Sequence, residues 1–148
     1  MATFVKINKF VDHLCSGVHD FNSQGTAAMT VALSNTQPAT EGGGDPLSDA
    51  GGDLSFVTEI NYANLSSRAF ATVSKNLSAG TLTVDLSDLV LTASGAVAAF
   101  RYLYFYNDTP TSPADPLVAH FDHGSVVQLA DTDTYSISID NAGLFTLA

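Results

Sequence analysis

The residues best suited to chemistry are His120-Phe121-Asp122-His123, two imidazoles and a carboxylate within four positions. That is the material of a zinc site or an acid–base pair. Side chains alternate along a strand, so His120 and Asp122 would share a face while His123 points the other way. Convergence would need a turn at His123-Gly124, and the simpler expectation is a strand end with exposed imidazoles. His13 and His19, six apart, would not face one another on a single helix and are expected on the polar surface. Cys15 and His19 stand at i, i+4 and would share a helical face, yet no acid is placed to orient the base. A small buried or half-buried thiol is the plainer reading.

The acidic residues give no stronger signal. Asp45, Asp49 and Asp53 are four apart with glycines between, but the twelve-residue calcium loop with its terminal Glu is missing. Asp131-Thr132-Asp133 reads as a hairpin turn, with calcium at such a rim as the alternative. Gly42-Gly43-Gly44 lacks the following Lys-Ser/Thr and helix of a phosphate cradle, and no Gly-x-Ser-x-Gly elbow occurs. Arg101, one of two arginines, lies in the most apolar segment. A charge there needs a partner, either a local Asp tying strands together or a group across a subunit boundary. No catalytic, cofactor-binding or metal-ligating set is expected.

The elements that must carry these residues are mostly strands. Ala98 to Tyr106 has aromatic residues on both faces and predicts a central strand buried on both sides. Its Tyr102, Tyr104 and Tyr106 share one face, explained more cheaply by core packing than by a stacking platform. Met29, Val31 and Leu33 alternate with Thr30, Ala32 and Ser34, predicting a strand with one buried face. Further strands are predicted at 56–60, 69–74, 81–86, 89–93, 117–121, 126–129, 135–139 and 144–147. Turn signals every ~8–12 residues mark a sandwich or barrel. The expected fold is a single all-β domain over 1–148, an antiparallel, jelly-roll-like β-sandwich of eight or nine short strands with a short N-terminal helix.

That helix falls within residues 1–21, with Asn8 as cap, Gly17 as stop, and Phe10, Val11, Leu14 and Val18 on one side. It is too short to stand alone, so it is expected as an arm docking on the sheet or on a neighbouring chain. Residues 35–55 hold Pro38, Gly42-Gly43-Gly44, Asp45-Pro46 and Gly51-Gly52. They predict a long contact loop.

Composition narrows the partners. The 148 residues carry 15 acidic against 5 basic side chains, a net charge of −10, with 13 Asp and 2 Glu. Clustered cations for nucleic acid or for an anionic membrane are absent from the sequence. Asp, Asn, Ser and Thr favour turns over helix faces. The start Met1-Ala2-Thr3-Phe4-Val5-Lys6 lacks the apolar run of a signal peptide, and no ~18-residue apolar stretch exists. A soluble product made in a cytoplasm is expected, and one cysteine says little about redox compartment.

The stretches Phe100-Arg101-Tyr102-Leu103-Tyr104-Phe105-Tyr106-Asn107-Asp108-Thr109 and Asp115-Pro116-Leu117-Val118-Ala119-His120-Phe121-Asp122-His123-Gly124-Ser125 resemble a family of small virion structural proteins of tailed bacteriophages. Lys9-Phe10-Val11-Asp12-His13-Leu14, Gly17-Val18-His19, Val31-Ala32-Leu33-Ser34-Asn35-Thr36 and the end from Val127-Gln128-Leu129-Ala130-Asp131 through Phe145 are similar to the same family. The resemblance leaves out roughly residues 39–66. It implies a non-enzymatic particle component, a capsid decoration or cement protein, with placement in tail, neck or fibre or a carbohydrate- or receptor-binding module as alternatives. The implied partner is the major capsid protein at the outer surface of the virion. Closed oligomers suit that role, and trimers at three-fold positions are expected. The contact residues expected from the arm and loop are Phe4, Phe10, Val11, Leu14, Pro38, Pro46 and Leu47.

Overall fold

A computed structural model describes residues 3–21, 29–38, 46–71 and 73–148, and side chains from Val5 onward. The chain runs β1 (Thr3–Lys6), α1 (Asn8–Cys15), β2 (Met29–Ser34), a 3-10 turn (Leu54–Phe56), β3 (Val73–Ser78), β4 (Thr81–Leu86), β5 (Leu89–Thr92), β6 (Phe100–Asn107), β7 (Leu117–Val127), β8 (Thr134–Ile137) and β9 (Phe145–Leu147). The strands form antiparallel sheets ordered β1-β7-β6-β2, β3-β4-β9 and β5-β8. The fold is all-β and sandwich-like, with one short N-terminal helix.

The sheet is organised around β6, which lies between β7 and β2 and is buried at seven of its eight positions. Apolar side chains on both faces require cover on both faces. On one face Phe105 meets Phe70 and Phe121, with ring centroids 5.3 and 4.9 Å apart. On the other, Tyr102 and Tyr104 pack on His120.

Several sequence expectations are corrected. β2 is buried at all six positions, not on one face, because residues 58–70 lie along its outer edge. Val31 N–H donates to the Arg68 carbonyl (3.1 Å), Phe70 N–H to Met29 (2.9 Å) and Ile60 N–H to Leu33 (3.0 Å). Residues 56–60 are therefore a covering segment with no strand of their own. Ala69 makes an isolated bridge to Thr30, and the strand expected from 69 begins at Val73. The strands expected at 117–121 and 126–129 merge into the eleven-residue β7. Gly124, with φ +89°, carries the chain through the polar stretch that resembled a turn.

The N-terminal segment docks on the chain's own sheet, the first of the two placements expected for it. β1 pairs with β7 along its whole length, Thr3 opposite Asp122 through Lys6 opposite Ala119. Ile7, rather than Asn8, occupies the N-cap, with extended backbone and no side-chain cap. The buried stripe of α1 is Phe10 and His13, so the stripe expected through Val11 is rotated and Val11 is 46% exposed. Gly17 is the stop, as expected: at φ +71° its N–H donates to Leu14 (3.1 Å) while Val18 N–H donates to His13 (2.9 Å). This is the paired closure that satisfies the last carbonyls of a helix.

Candidate functional site

The turn at Gly17 reverses the chain and folds it back on α1. His19 and Phe21 therefore return to the helix and build an aromatic cluster with Phe10, His13 and Phe145 of β9. Ring centroids are 5.1 Å for Phe10–His19, 5.8 Å for His13–His19 and 5.1 Å for Phe10–Phe145, and His19 stacks on Phe21 at 5.5 Å and 8°. His13 and His19, expected at the polar surface, are both buried. Among the described residues, neither ring nitrogen of His19 nor Nδ1 of His13 finds a hydrogen-bond partner. Burial disfavours the charged imidazole. It lowers the pKa of His13 and, with His13 as a like-charged neighbour, brings His19 down to about 4. Because α1 ends at Cys15, the i, i+4 pairing of Cys15 with His19 is broken: Cys15 is exposed while His19 is buried.

The His120–His123 motif also separates. His120 is buried, not an exposed imidazole, and lies 5.9 Å from the Tyr102 ring and 4.9 Å from the Tyr104 ring. His123 turns to the Ser125 carbonyl, 3.1 Å from Nδ1, and to the Tyr135 ring at 5.7 Å. Asp122 is taken by Arg101, whose Nε and Nη2 donate to its two oxygens at 2.7 and 2.8 Å. Gly124 N–H adds a third donor at 2.8 Å. Hydrogen bonding to Arg101 holds the Asp122 carboxyl down at about 2 and raises Arg101. The pairing is the local one of the two options open to Arg101, tying β6 to β7. Tyr102, Tyr104 and Tyr106 are all buried, so their faces are packed and not presented for stacking.

A polar cluster around the other arginine escaped sequence reading. The Arg68 guanidinium sits 3.7 Å over the Tyr62 ring, donates from Nη1 to the Val31 carbonyl at 2.6 Å and lies 3.6 Å from Glu59. Tyr62 hydroxyl accepts Leu33 N–H (2.9 Å) and donates to Glu59 Oε2 (2.5 Å). Burial and the Glu59 hydrogen bond raise the Tyr62 pKa. The same scarcity of cations that drew attention to Arg101 applies to Arg68. Its contacts reach as far as 37 residues along the sequence and have no local pattern.

The expected contact residues divide among several environments. The Phe4 side chain lies outside the described residues, as do Asp45 and Gly42-Gly43-Gly44; the Phe4 backbone pairs with Phe121. Phe10 is 3% exposed and committed to the aromatic cluster, and Pro46 is buried. Val11 is exposed, and Leu14, Pro38 and Leu47 are half-buried. Pro38 and Pro46 both line a cleft of about 200 Å³ beside Phe56, Val57 and Tyr104. A larger apolar groove of about 510 Å³ has Leu103, Phe105 and Phe121 on one side and Tyr135, Ile137 and Leu144 on the other. Ser136, Ser138 and Asp140 lie along it without a hydrogen bond between a serine hydroxyl and the carboxylate. Such a surface can accept an apolar side chain or segment. The turn acids act on the backbone: Asp53 accepts Ser55 N–H (2.9 Å) and Asp133 accepts Ala130 N–H (2.8 Å). Among the described residues no three His, Cys, Asp or Glu side chains converge as a metal site would require.

No family model matches the chain, nor does any curated protein or solved structure.

Proposed function

We propose that this chain is a non-enzymatic structural protein of a bacteriophage virion, a decoration or cement protein bound to the outer surface of the major capsid protein lattice. The observation that carries the reading is the resemblance of residues 100–109 and 115–125 to small virion proteins of tailed phages. In this fold those stretches hold β6 and β7 as far as Ser125, the two central strands of the four-stranded sheet, with the flanks of the turn between them. The net charge of −10 favours an outer surface over contact with packaged DNA.

The contact surface differs from a simple arm. Removing residues 1–21 would strip β1 from β7 and Phe10 from the core, so loss of binding by that truncation would report unfolding. Val11 and the half-buried Leu14, Pro38 and Leu47 remain as contacts that can be altered singly. Purified chain mixed with heads lacking it is expected to co-sediment with them. Val11→Asp and Leu47→Asp, checked for unchanged melting, are expected to weaken that co-sedimentation. Heads that take up no chain would overturn the reading, and uptake by tails alone would move it elsewhere in the particle.

A further inference from the structure

Residues 60–84 are the longest run without Asp or Glu in a chain that carries 15 of them. The end of that run folds as the hairpin β3–β4, which leaves the body with five of the six β3 residues exposed. Ala79 and Gly80 turn it with φ of +49° and +85°, the mirror-type two-residue turn that matches strand twist. Such a turn hydrogen-bonds Ser78 with Thr81, which face each other in the register. Main-chain polarity alternates along a strand, so Val73, Lys75 and Leu77 aim their N–H and C=O groups outward from the sheet. Among the described residues nothing pairs with that edge. A single lysine, with no proline or bulge, is all that guards it.

The edge is also apolar. Leu77 faces Leu82 across β3–β4, and Leu82 faces Leu147 across β4–β9, a row of three leucines over the whole sheet. Leu77 is 69% and Leu147 42% exposed. We infer that this edge is an interface between two copies of the chain, with β3 pairing antiparallel to the partner's β3 about a two-fold axis through Leu77. The symmetry makes Leu77 its own partner. The pair exchanges both main-chain hydrogen bonds, and the row becomes six leucines across six strands. Charge permits this occupant, because the hairpin tip between Ser74 and Val84 holds no carboxylate and two copies at −10 each can meet there without bringing acids together. Charge also selects the register. Centring on Leu77 sets Lys75 against the partner's Ala79 and keeps the two Lys75 Cα atoms roughly 13 Å apart along the strands, beyond the screening length of physiological salt.

The inference does not rest on the capsid reading, and it gives a two-fold contact in place of the expected trimer. Pairing through one short edge is a small interface, so sedimentation velocity over a concentration series is the appropriate test. The mass is expected to rise from 15.4 kDa toward twice that value and not three times. Leu77→Lys, at an exposed site, is expected to leave melting unchanged and raise the dimerisation midpoint at least about tenfold. In a Cys15→Ser background, Leu77→Cys is expected to form a disulfide-linked dimer on mild oxidation, since directly opposed Cα atoms lie within disulfide reach. Asn76→Cys, offset from its counterpart, is expected to react far more slowly. A chain monomeric throughout, a dimer indifferent to Leu77→Lys, or preferential oxidation of Asn76→Cys would overturn the proposal. A monomer whose edge is covered only by another protein would assign it to that protein instead and would equally overturn it.

Discussion

β2 and β3 are both six-residue edge strands, yet β2 is buried at every position and β3 at one. The difference lies in the cover each strand receives from the rest of the chain, not in its own alternation. Residues 58–70 close over β2, held by main-chain hydrogen bonds and by the Glu59–Tyr62–Arg68 cluster. The opposite margin of the three-stranded sheet is intermediate: Phe145 of β9 packs against Phe10 and Phe21, while Thr146 and Leu147 are exposed. The β3 edge has no such cover among the described residues. A strand edge is a liability that folds normally cover, twist or charge, and an apolar edge left open where the β2 edge is closed points to association.

Four changes break or sharpen this contrast. The largest effect is expected from the same truncation on the two edges: Leu33→Ala in β2, where Leu33 is 0% exposed, should cost about 2–5 kcal/mol. Leu77→Ala in β3 should stay within about 0.5 kcal/mol under conditions where the chain is monomeric. Urea unfolding of both variants measures the pair, and equal losses would erase the distinction.

Next comes acid. His19 has a pKa of about 4 in the fold against 6.5 in the unfolded chain. The unfolded state therefore binds more protons below pH 6.5, and stability falls as pH drops from 6.5 toward 4. The slope is about 1.4 kcal/mol per pH unit and the total about 3 kcal/mol. His13, also lowered by burial, acts in the same direction. Melting temperature against pH should show the decline in the native chain and a much flatter line for His19→Phe.

A smaller loss, about 1–2 kcal/mol, is expected for Tyr62→Phe, which leaves the buried Leu33 N–H without its hydroxyl partner. Hydrogen exchange should show faster opening at Leu33 and none at Leu103. The smallest effect is expected at Arg101→Gln. This pair is partly solvated, and exposed ion pairs contribute little. Its signature is a second acid step: Asp122 is held near 2 by Arg101, so its contribution is present above the ordinary carboxylate range and lost as pH falls toward 2. That step should shrink in Arg101→Gln to what the Gly124 N–H bond sustains, while the His19 step remains.

The central strand was readable because Phe100 to Tyr106 carries apolar side chains on both faces, a local property. β1 was not readable: four residues, Thr3–Lys6, pair with a strand more than 110 positions away. The histidine cluster was missed for a related reason. Helical geometry correctly says that positions six apart do not face each other, but Gly17 ends the helix before His19 and returns the chain. Residues 56–60 have the composition of a strand, yet cover β2 as irregular chain, which only the position of Arg68 and Tyr62 explains. Phe10 and Val11 are expected together, on the apolar side of the helix and among the contact residues, but Phe10 lies in the core and Val11 outside it.

The proposed placement of this chain on the outside of a capsid is tested most directly by a cryo-electron-microscopy map of intact particles, compared with particles lacking the chain. Difference density shaped like this β-sandwich on the outer face of the head lattice is the result the account predicts. Density confined to the tail or neck, or no difference at all, would contradict it.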